Sequence, residues 1–584
     1  MTKKPLPRIA VAQLHSIVGD LDGNLKKMMT AARTAVKDNV DILVFPEQVI
    51  SGYSIEDLAG DRSFIASVEA TFTKFMEKAP QGMTILVGLP MSAGTFQTIH
   101  AQIYGRKQAH HRLPLDATDR HIHNTVVLIK DGKPLAIKSK TLLPNYGVYD
   151  DARWMIQGPV TQKPVRVKGR KVALAVCEDV WTDDVAVAAA DAGAEILLVA
   201  NASPYHVGKP IQRMEMLTGL AQRTGLTIVY TNMVGGQDEV IYDGGSMIVA
   251  PDEGTLLVAP LFKEGVWTLG SPTTPTNVTS WAADDNEQIW EALTTGLRDY
   301  LHGTGFTSVI VGLSGGIDCA VAATIAVDAL GPDNVWGVGM PGPYSSQGSV
   351  DDAHELASNL GIPFNLIPIT ETVAAEHSII DSFTEGAPNL GIASENVQAR
   401  LRSLHIQTLC NAFNMIMLNT GNKSEAAVGY FTLGGDSSGG FAILKDVYKT
   451  RVYELAEWRN LKARMETDSV LIPLNSIRKF PSAELAEGQA DTDSLLPYPI
   501  LDEVLRQYLE LQSSPGEIVA ALMEQHLAGG MLKKDLDAAV LRTMRMVDRA
   551  EFKRRQCPIG LKITSRSFTK ERRMPIMSRR QHRM

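Results

Sequence analysis

Residues 308–323 constrain the fold of this chain more than any other stretch. Val309, Ile310 and Val311 form an apolar β-branched run, Gly315 and Gly316 interrupt it, and an Ala-rich segment begins at Ala320. The pattern predicts a buried strand, a tight turn and a helix start. Small residues in the turn let backbone N–H groups approach an anion, and the helix N-terminus adds unpaired amides and a favourable dipole. Phosphate is the guest such a turn suits.

The loop Ser314-Gly-Gly-Ile-Asp318 lacks the G-K-[ST] ending of a Walker A motif, and it is not the G-x-G-x-x-G of dinucleotide folds. It resembles the SGGxDS pyrophosphate loop of ATP-dependent adenylating synthetases. That resemblance implies ATP as co-substrate, with Gly312, Leu313, Ser314, Gly315, Gly316, Ile317, Asp318 and Cys319 around its phosphates. In isolation, an ordinary Gly-rich strand-to-helix turn reads the same way. Position 319 departs from the pattern: a thiol, a weak donor, stands where the loop commonly carries a serine hydroxyl.

The chain around this loop has 584 residues, enough for several domain-sized units or for two large α/β domains. Hydrophobic residues make up 44% and charged ones 21%, ordinary for a globular chain, and a net charge of -8 argues against a nucleic-acid partner. No apolar run approaches the ~18 residues of a spanning helix, and the N-terminus has no apolar signal core. No membrane partner is expected, and the expected compartment is the cytoplasm. Cys177, Cys319, Cys410 and Cys557 form no C-x-x-C pair, so neither a zinc site nor a disulfide framework is suggested.

Upstream of the loop, short apolar runs end in chemically useful residues. The run 41–47 is a predicted buried strand ending in Glu47, whose desolvation would raise its pKa toward a general base's range. A surface Glu beside Pro46 fits the same letters. Strands are predicted at 83–90 and 124–130, and Asp131-Gly132 makes a hairpin turn into 133–138, which delivers Lys140. Lysine beside a forming oxyanion stabilises charge, although a lysine after a strand is commonly solvated. The run 172–181 brings Cys177 next to two carboxylates and an aromatic; a buried structural cysteine would also look like this. Together the three strand ends supply base, cation and nucleophile.

The segments Phe45 to Tyr53, Lys140 to Asp150, Cys177 to Trp181 and Asn201 to Pro204 resemble, in order, the four signature blocks of the nitrilase (carbon–nitrogen hydrolase) superfamily. The resemblance implies Glu47 as general base, Lys140 as oxyanion stabiliser and Cys177 as acyl-forming nucleophile, in a four-layer αββα sandwich. It also implies that Tyr146, Ser203 and Lys209 hold glutamine. One stretch departs from the pattern: residues 102–123 carry four histidines and several basic residues. Without H-x-x-x-H spacing or framing carboxylates, a solvated loop, at a subunit contact, is expected there rather than a metal site.

Beyond 270 the chain turns Pro- and Thr-rich, and an amphipathic helix is predicted from 284 with Ile289, Leu293, Leu297 and Leu301 on one face. We therefore expect an amidohydrolase domain over 1–272, a linker over 273–283 and a second domain over 284–584. Alternating strands and helices after 308 predict a Rossmann-like doubly wound parallel sheet, with ligands at the carboxyl ends of its strands. The helix opening at Ser394 carries Arg400 and Arg402, and the run 415–425 reads as a strand ending in a polar turn with Glu425.

With Ser314 to Asp318, the stretches at 395–400, 419–425, 429–432, 449–450, 480–485 and 552–556 are similar to NAD+ synthetases, and the whole chain resembles the glutamine-dependent members of that family. The resemblance implies Mg2+ on Asp318 and Glu425, Thr420 on ATP, and Asn396, Glu425 and Lys553 on deamido-NAD+. Its substrates are then deamido-NAD+, ATP and L-glutamine, its intermediate an adenylate, its products NAD+, AMP, pyrophosphate and glutamate, and its assembly a homo-oligomer. The competing readings are another glutamine-fed adenylating amidotransferase and a non-catalytic nucleotide-binding protein.

Overall fold

Strands with apolar residues on both faces must be covered on both sides, and those of the N-terminal half are of this kind. The computed structural model describes residues 5–105, 121–276, 281, 284–381, 391–578 and 580–584, and the chain divides into two units, Met1–Gln288 and Ile289–Met584. In the first unit, one six-stranded sheet holds β1 (Ile9–Gln13), β2 (Ile42–Val44), β3 (Thr84–Ser92), β4 (Ile122–Lys130) and β5 (Lys133–Ser139). The second holds β6 (Val165–Val167), β7 (Arg170–Val176), β8 (Ile196–Asn201) and β9 (Thr227–Asn232). After a small hairpin of β10 (Val234–Gln237) and β11 (Val240–Asp243), β12 (Met247–Ala250) and β13 (Gly254–Val258) extend the second sheet, and β14 (Gly265–Thr268) returns to the first. The orders are β14-β1-β2-β3-β4-β5 and β13-β12-β9-β8-β7-β6.

The period-2 alternation of a strand decides which residue goes where. Ile9, Val11, Ile42 and Val44 of the first sheet meet Val172, Leu174, Ile196 and Leu198 of the second in one core layer. Ala10, Ala12 and Leu43 face the other way, onto α1 (Leu21–Lys37) and α2 (Arg62–Lys78). Leu197 and Val199 likewise face α3 (Asp184–Asp191) and α4 (Lys209–Thr224). The result is an αββα sandwich. The Asp20 carboxylate caps α1 by accepting the Gly23 N–H at 3.0 Å. The Asp131-Gly132 turn joins β4 to β5 with both residues at positive φ, as a type I′ hairpin requires. Trp281, which falls in the expected linker, is buried in the core of the first unit.

Helix α5 (Asp285–Thr304) begins just before the second unit and buries Ile289, Leu293, Leu297 and Leu301 within it. Five parallel strands follow: β15 (Val309–Gly312), β16 (Val335–Gly339), β17 (Phe364–Leu366), β18 (Ile416–Asn419) and β19 (Phe441–Ala442). Their order is β17-β16-β15-β18-β19. The chain builds outward from β15 to β17, then crosses back to β18 on the other side. Residues 313–316 leave β15 at this switch point, where open α/β sheets bind ligands, and lead into α6 (Ile317–Leu330). The edge strand β17 is only three residues long. Asp318 and Glu425, expected in strand-end turns, both sit in the first turn of a helix, Glu425 in the short α9 (Lys423–Val428), which follows α7 (Gln347–Leu360) and α8 (Ile392–Phe413). Among the described residues no helix is long and apolar enough to cross a membrane.

Candidate active sites

The first unit gathers its candidate functional side chains at the carboxyl ends of strands in both sheets. Glu47 follows β2, and the turn bearing it presses against β3 at Gly88, where a Cβ would lie 2.6 Å from the Pro46 carbonyl oxygen. Lys140 follows β5 and Cys177 follows β7. All three are fully buried. The Lys140 ammonium donates to Glu47 Oε1 at 2.9 Å and to Asp151 Oδ2 at 2.6 Å. Asn124 Nδ2 donates to the same Glu47 oxygen at 2.6 Å, and the Ala202 N–H donates to Glu47 Oε2 at 3.0 Å. Tyr53 in turn donates to Asp151 Oδ1 at 2.9 Å.

These contacts set the charges. Burial raises the Glu47 carboxyl against the pull of Lys140, which makes it a stronger base than a surface glutamate. Burial alone would lower the Lys140 ammonium, but Asp151 and Glu47 outweigh it and hold the group well above the ordinary lysine range. Burial pushes the Cys177 thiol up, Glu47 adds to the push, and Lys140 and the Ala202 N–H oppose it. Cys177 is therefore held toward its thiol form, and any attack by it would require a base. The site has a buried carboxylate of raised basicity for that proton, and an ammonium fixed by two carboxylates. Cys177 itself has φ 44°, a left-handed conformation that costs a non-glycine residue about 1–3 kcal/mol and collects at functional sites.

The residues expected to hold glutamine are dispersed around this centre. Tyr146 is exposed, and its hydroxyl donates to Glu178 Oε1. Lys209 opens α4 with its ammonium 3.6 Å from the centroid of the Trp181 ring, and burial lowers its pKa to about 8. Ser203 is buried; its N–H donates to Asn232 Oδ1 at 2.8 Å and its Oγ accepts from Arg213 Nη2 at 3.5 Å. Of the histidine-rich stretch, Gln102 to Tyr104 end a helix and His121 leads into β4, where His123 is buried with Nδ1 2.9 Å from Ser139 Oγ. Residues 106–120 lie outside the described residues.

The second unit holds a cavity of about 360 Å³. Gly312, Leu313, Ser314, Gly316, Ile317, Asp318, Cys319, Thr420 and Glu425 line it. Gly315 does not, and its place is structural: at φ +75° it passes α7 so closely that a Cβ would sit 2.3 Å from the Ser349 carbonyl oxygen. Asn396 and Lys553 are not among the lining residues either. Asn396 Oδ1 accepts from Thr432 Oγ1 at 2.6 Å, and the Lys553 ammonium donates to the carbonyls of Gly429 and Phe431, each at 2.8 Å. The Cys319 thiol, expected as a donor toward phosphate, is used within its own loop: it accepts the Ser314 N–H at 3.3 Å and donates to the Gly316 carbonyl at 3.1 Å.

A cation that no local sequence pattern marks also lines this cavity. Lys449 begins α10 (Lys449–Thr467) and pairs with Asp318 Oδ2 and, at 3.4 Å, with Glu425 Oε1. In the sequence the stretch 449–450 signals only a family likeness. Asn422 joins the same group through Asp318 Oδ1 at 3.1 Å. Burial raises the Glu425 carboxyl to about 8, with Lys449 opposing. Two carboxylates converging on one positive charge fit Mg2+, which takes few protein carboxylates and completes its octahedron with phosphate oxygens and water. Among the described residues no group of three or more His, Cys, Asp or Glu side chains could hold a metal alone. In the first unit Asn124 and Asp151, which contact Glu47 and Lys140, carry no local sequence signal, although Asp151 directly follows the segment Lys140 to Asp150.

Comparison with known proteins matches both units. A carbon-nitrogen hydrolase family model covers residues 8–270, and an NAD synthase model covers 289–557. The glutamine-dependent NAD(+) synthetase of Thermotoga maritima is 37% identical over 98% of this chain and 98% of its own length. That of Acinetobacter baylyi is 38% identical with the same coverage. Among solved structures, the glutamine-dependent NAD+ synthetase from Acinetobacter baumannii in complex with adenosine diphosphate aligns with a TM-score of 0.73 at 35% identity, covering 98% of each chain.

Proposed function

The chain belongs to the glutamine-dependent NAD+ synthetases, a family of carbon–nitrogen ligases, and from that membership we propose how its residues divide the reaction. The overall chemistry is the ATP-dependent amidation of deamido-NAD+ to NAD+ with nitrogen from glutamine. Two separate constellations carry the assignment of roles: a buried carboxylate–ammonium–thiol group in one unit, and a Gly-rich loop facing two carboxylates in the other.

In the first unit Glu47 takes the thiol proton as Cys177 Sγ attacks the side-chain amide carbon of glutamine. Lys140 stabilises the tetrahedral oxyanion. Glu47 returns the proton to the departing nitrogen, which leaves as ammonia, and then accepts a proton from the water that releases glutamate from the thioester. Tyr146, Ser203 and Lys209 hold the rest of the glutamine; the lysine supplies the positive charge that the α-carboxylate needs.

In the second unit the nicotinate carboxylate of deamido-NAD+ attacks the α-phosphorus of ATP, and pyrophosphate leaves. Ammonia then attacks the carboxyl carbon and AMP departs, leaving the amide of NAD+. The loop 312–319 and Thr420 bind ATP; Asn396, Glu425 and Lys553 orient deamido-NAD+. Asp318 and Glu425 would hold Mg2+, which when bound offsets the negative charge gathering on the phosphates. Lys449 holds the two carboxylates together in the absence of that charge. We assign residues 1–272 to the glutaminase and 284–584 to the ligase, with 273–283 between them. That the enzyme works as a homo-oligomer, and in the cytoplasm, is part of the same proposal.

Deamido-NAD+ labelled with 18O in both carboxylate oxygens tests the ligase chemistry. One label is expected in the AMP phosphate and one in the NAD+ amide. Unlabelled AMP would overturn the adenylate.

A further inference from the structure

We propose that Asp179 is the positioning residue of the amide-hydrolysing site, because its carboxylate ties the turn that carries Cys177 to the loop that leaves Lys140. The proposal rests on Cys177 and Lys140 acting as described above. Asp179 is fully buried. Its Oδ2 accepts the N–H of Val176, the residue before Cys177, at 3.1 Å. Its Oδ1 accepts the N–H groups of Thr141 and Leu142, the two residues after Lys140, at 2.8 and 2.9 Å. One carboxylate thus fastens the backbone beside the nucleophile to the backbone beside the oxyanion-stabilising cation, across 38 positions of sequence.

Two features say that this strap does more than fill space. The backbone at Cys177 is left-handed, a conformation a non-glycine residue keeps only when its surroundings hold it there. A buried carboxylate is also an expensive way to join two loops unless its charge is compensated. The compensation comes from Lys138, on β5 two residues before Lys140, whose ammonium donates to Thr141 Oγ1 at 2.7 Å and to the Pro159 carbonyl. Burial raises the Asp179 carboxyl while Lys138 and the three N–H groups lower it. Asp179 touches none of the reacting atoms. It acts through the residues that flank them.

The test is Asp179→Asn, which keeps volume and shape. With the amide oxygen left on Thr141 and Leu142, the amide nitrogen must face the Val176 N–H, donor against donor. Displacement of a reacting group by about 1 Å costs about 100-fold. We expect kcat of the glutamine-driven reaction to fall about 100-fold, KM for glutamine to stay within about twofold, and ammonium-driven synthesis to be unchanged. A second variant, Lys138→Met, keeps all three N–H contacts but removes the compensating charge; about a tenfold loss of kcat with unchanged KM is expected. A well-folded Asp179→Asn protein with wild-type kcat would overturn the proposal, as would a rise in KM at constant kcat. If Asp179→Asn does not fold, an unchanged kcat in Lys138→Met overturns it instead.

Discussion

Single side chains in this protein do what their surroundings make them do. Lys209 is half-buried against Trp181, and burial brings its pKa down to about 8. Its ammonium form is the one that binds a carboxylate, so that form is intact below pH 8 and is lost as pH rises through it. KM for glutamine is therefore expected to rise about tenfold per pH unit above about 8, with kcat much less affected; a flat KM to pH 9.5 would remove Lys209 from the glutamine site. Glu425 makes the complementary point in the ligase unit. Glu425→Ala is expected to stop NAD+ formation with either nitrogen donor, by at least about 100-fold, while glutamine hydrolysis continues. Undiminished synthesis would dissociate Glu425 from the metal.

At the scale of elements, the loop between β15 and α6 depends on internal bracing as much as on its open amides. Gly315 lies at φ +75° against α7, so Gly315→Ala must either strain the backbone, at about 1–3 kcal/mol, or push the loop into the cavity. A rise of at least about tenfold in KM for ATP is expected, with glutaminase turnover untouched. The Cys319 thiol spans the same loop from Ser314 to Gly316. Cys319→Ser should keep ATP binding within about threefold, since a hydroxyl can accept and donate in the same places, whereas Cys319→Ala should weaken it more.

The loop was legible because its signal is local: β-branched residues, two glycines and a helix start are contiguous. The strand ends carrying Glu47, Lys140 and Cys177 were legible for the same reason. What could not be read is what the fold brings together over distance. Asn124 reaches Glu47 from 77 positions away, and Lys449 reaches Asp318 from 131. Nothing in the local pattern at either position marks a partner. The thiol at 319 was visible as a departure from a motif, but its inward contacts depend on the backbone path of the turn.

At the scale of the whole molecule, two α/β units occupy one chain, each with its own core and its own chemistry. The αββα unit keeps Glu47, Lys140 and Cys177 fully buried. The parallel-sheet unit opens its cavity at the switch point of the strand order. In the proposed division the first unit is the source of a nitrogen nucleophile and the second its consumer. That division is tested most directly by the rate of NAD+ formation by Cys177→Ala with deamido-NAD+, ATP and Mg2+, supplied with glutamine or with ammonium. The glutamine-driven rate is expected to be lost, by at least about 1,000-fold, and the ammonium-driven rate to equal wild type. Equal loss with both donors, or retention with glutamine, would contradict that division.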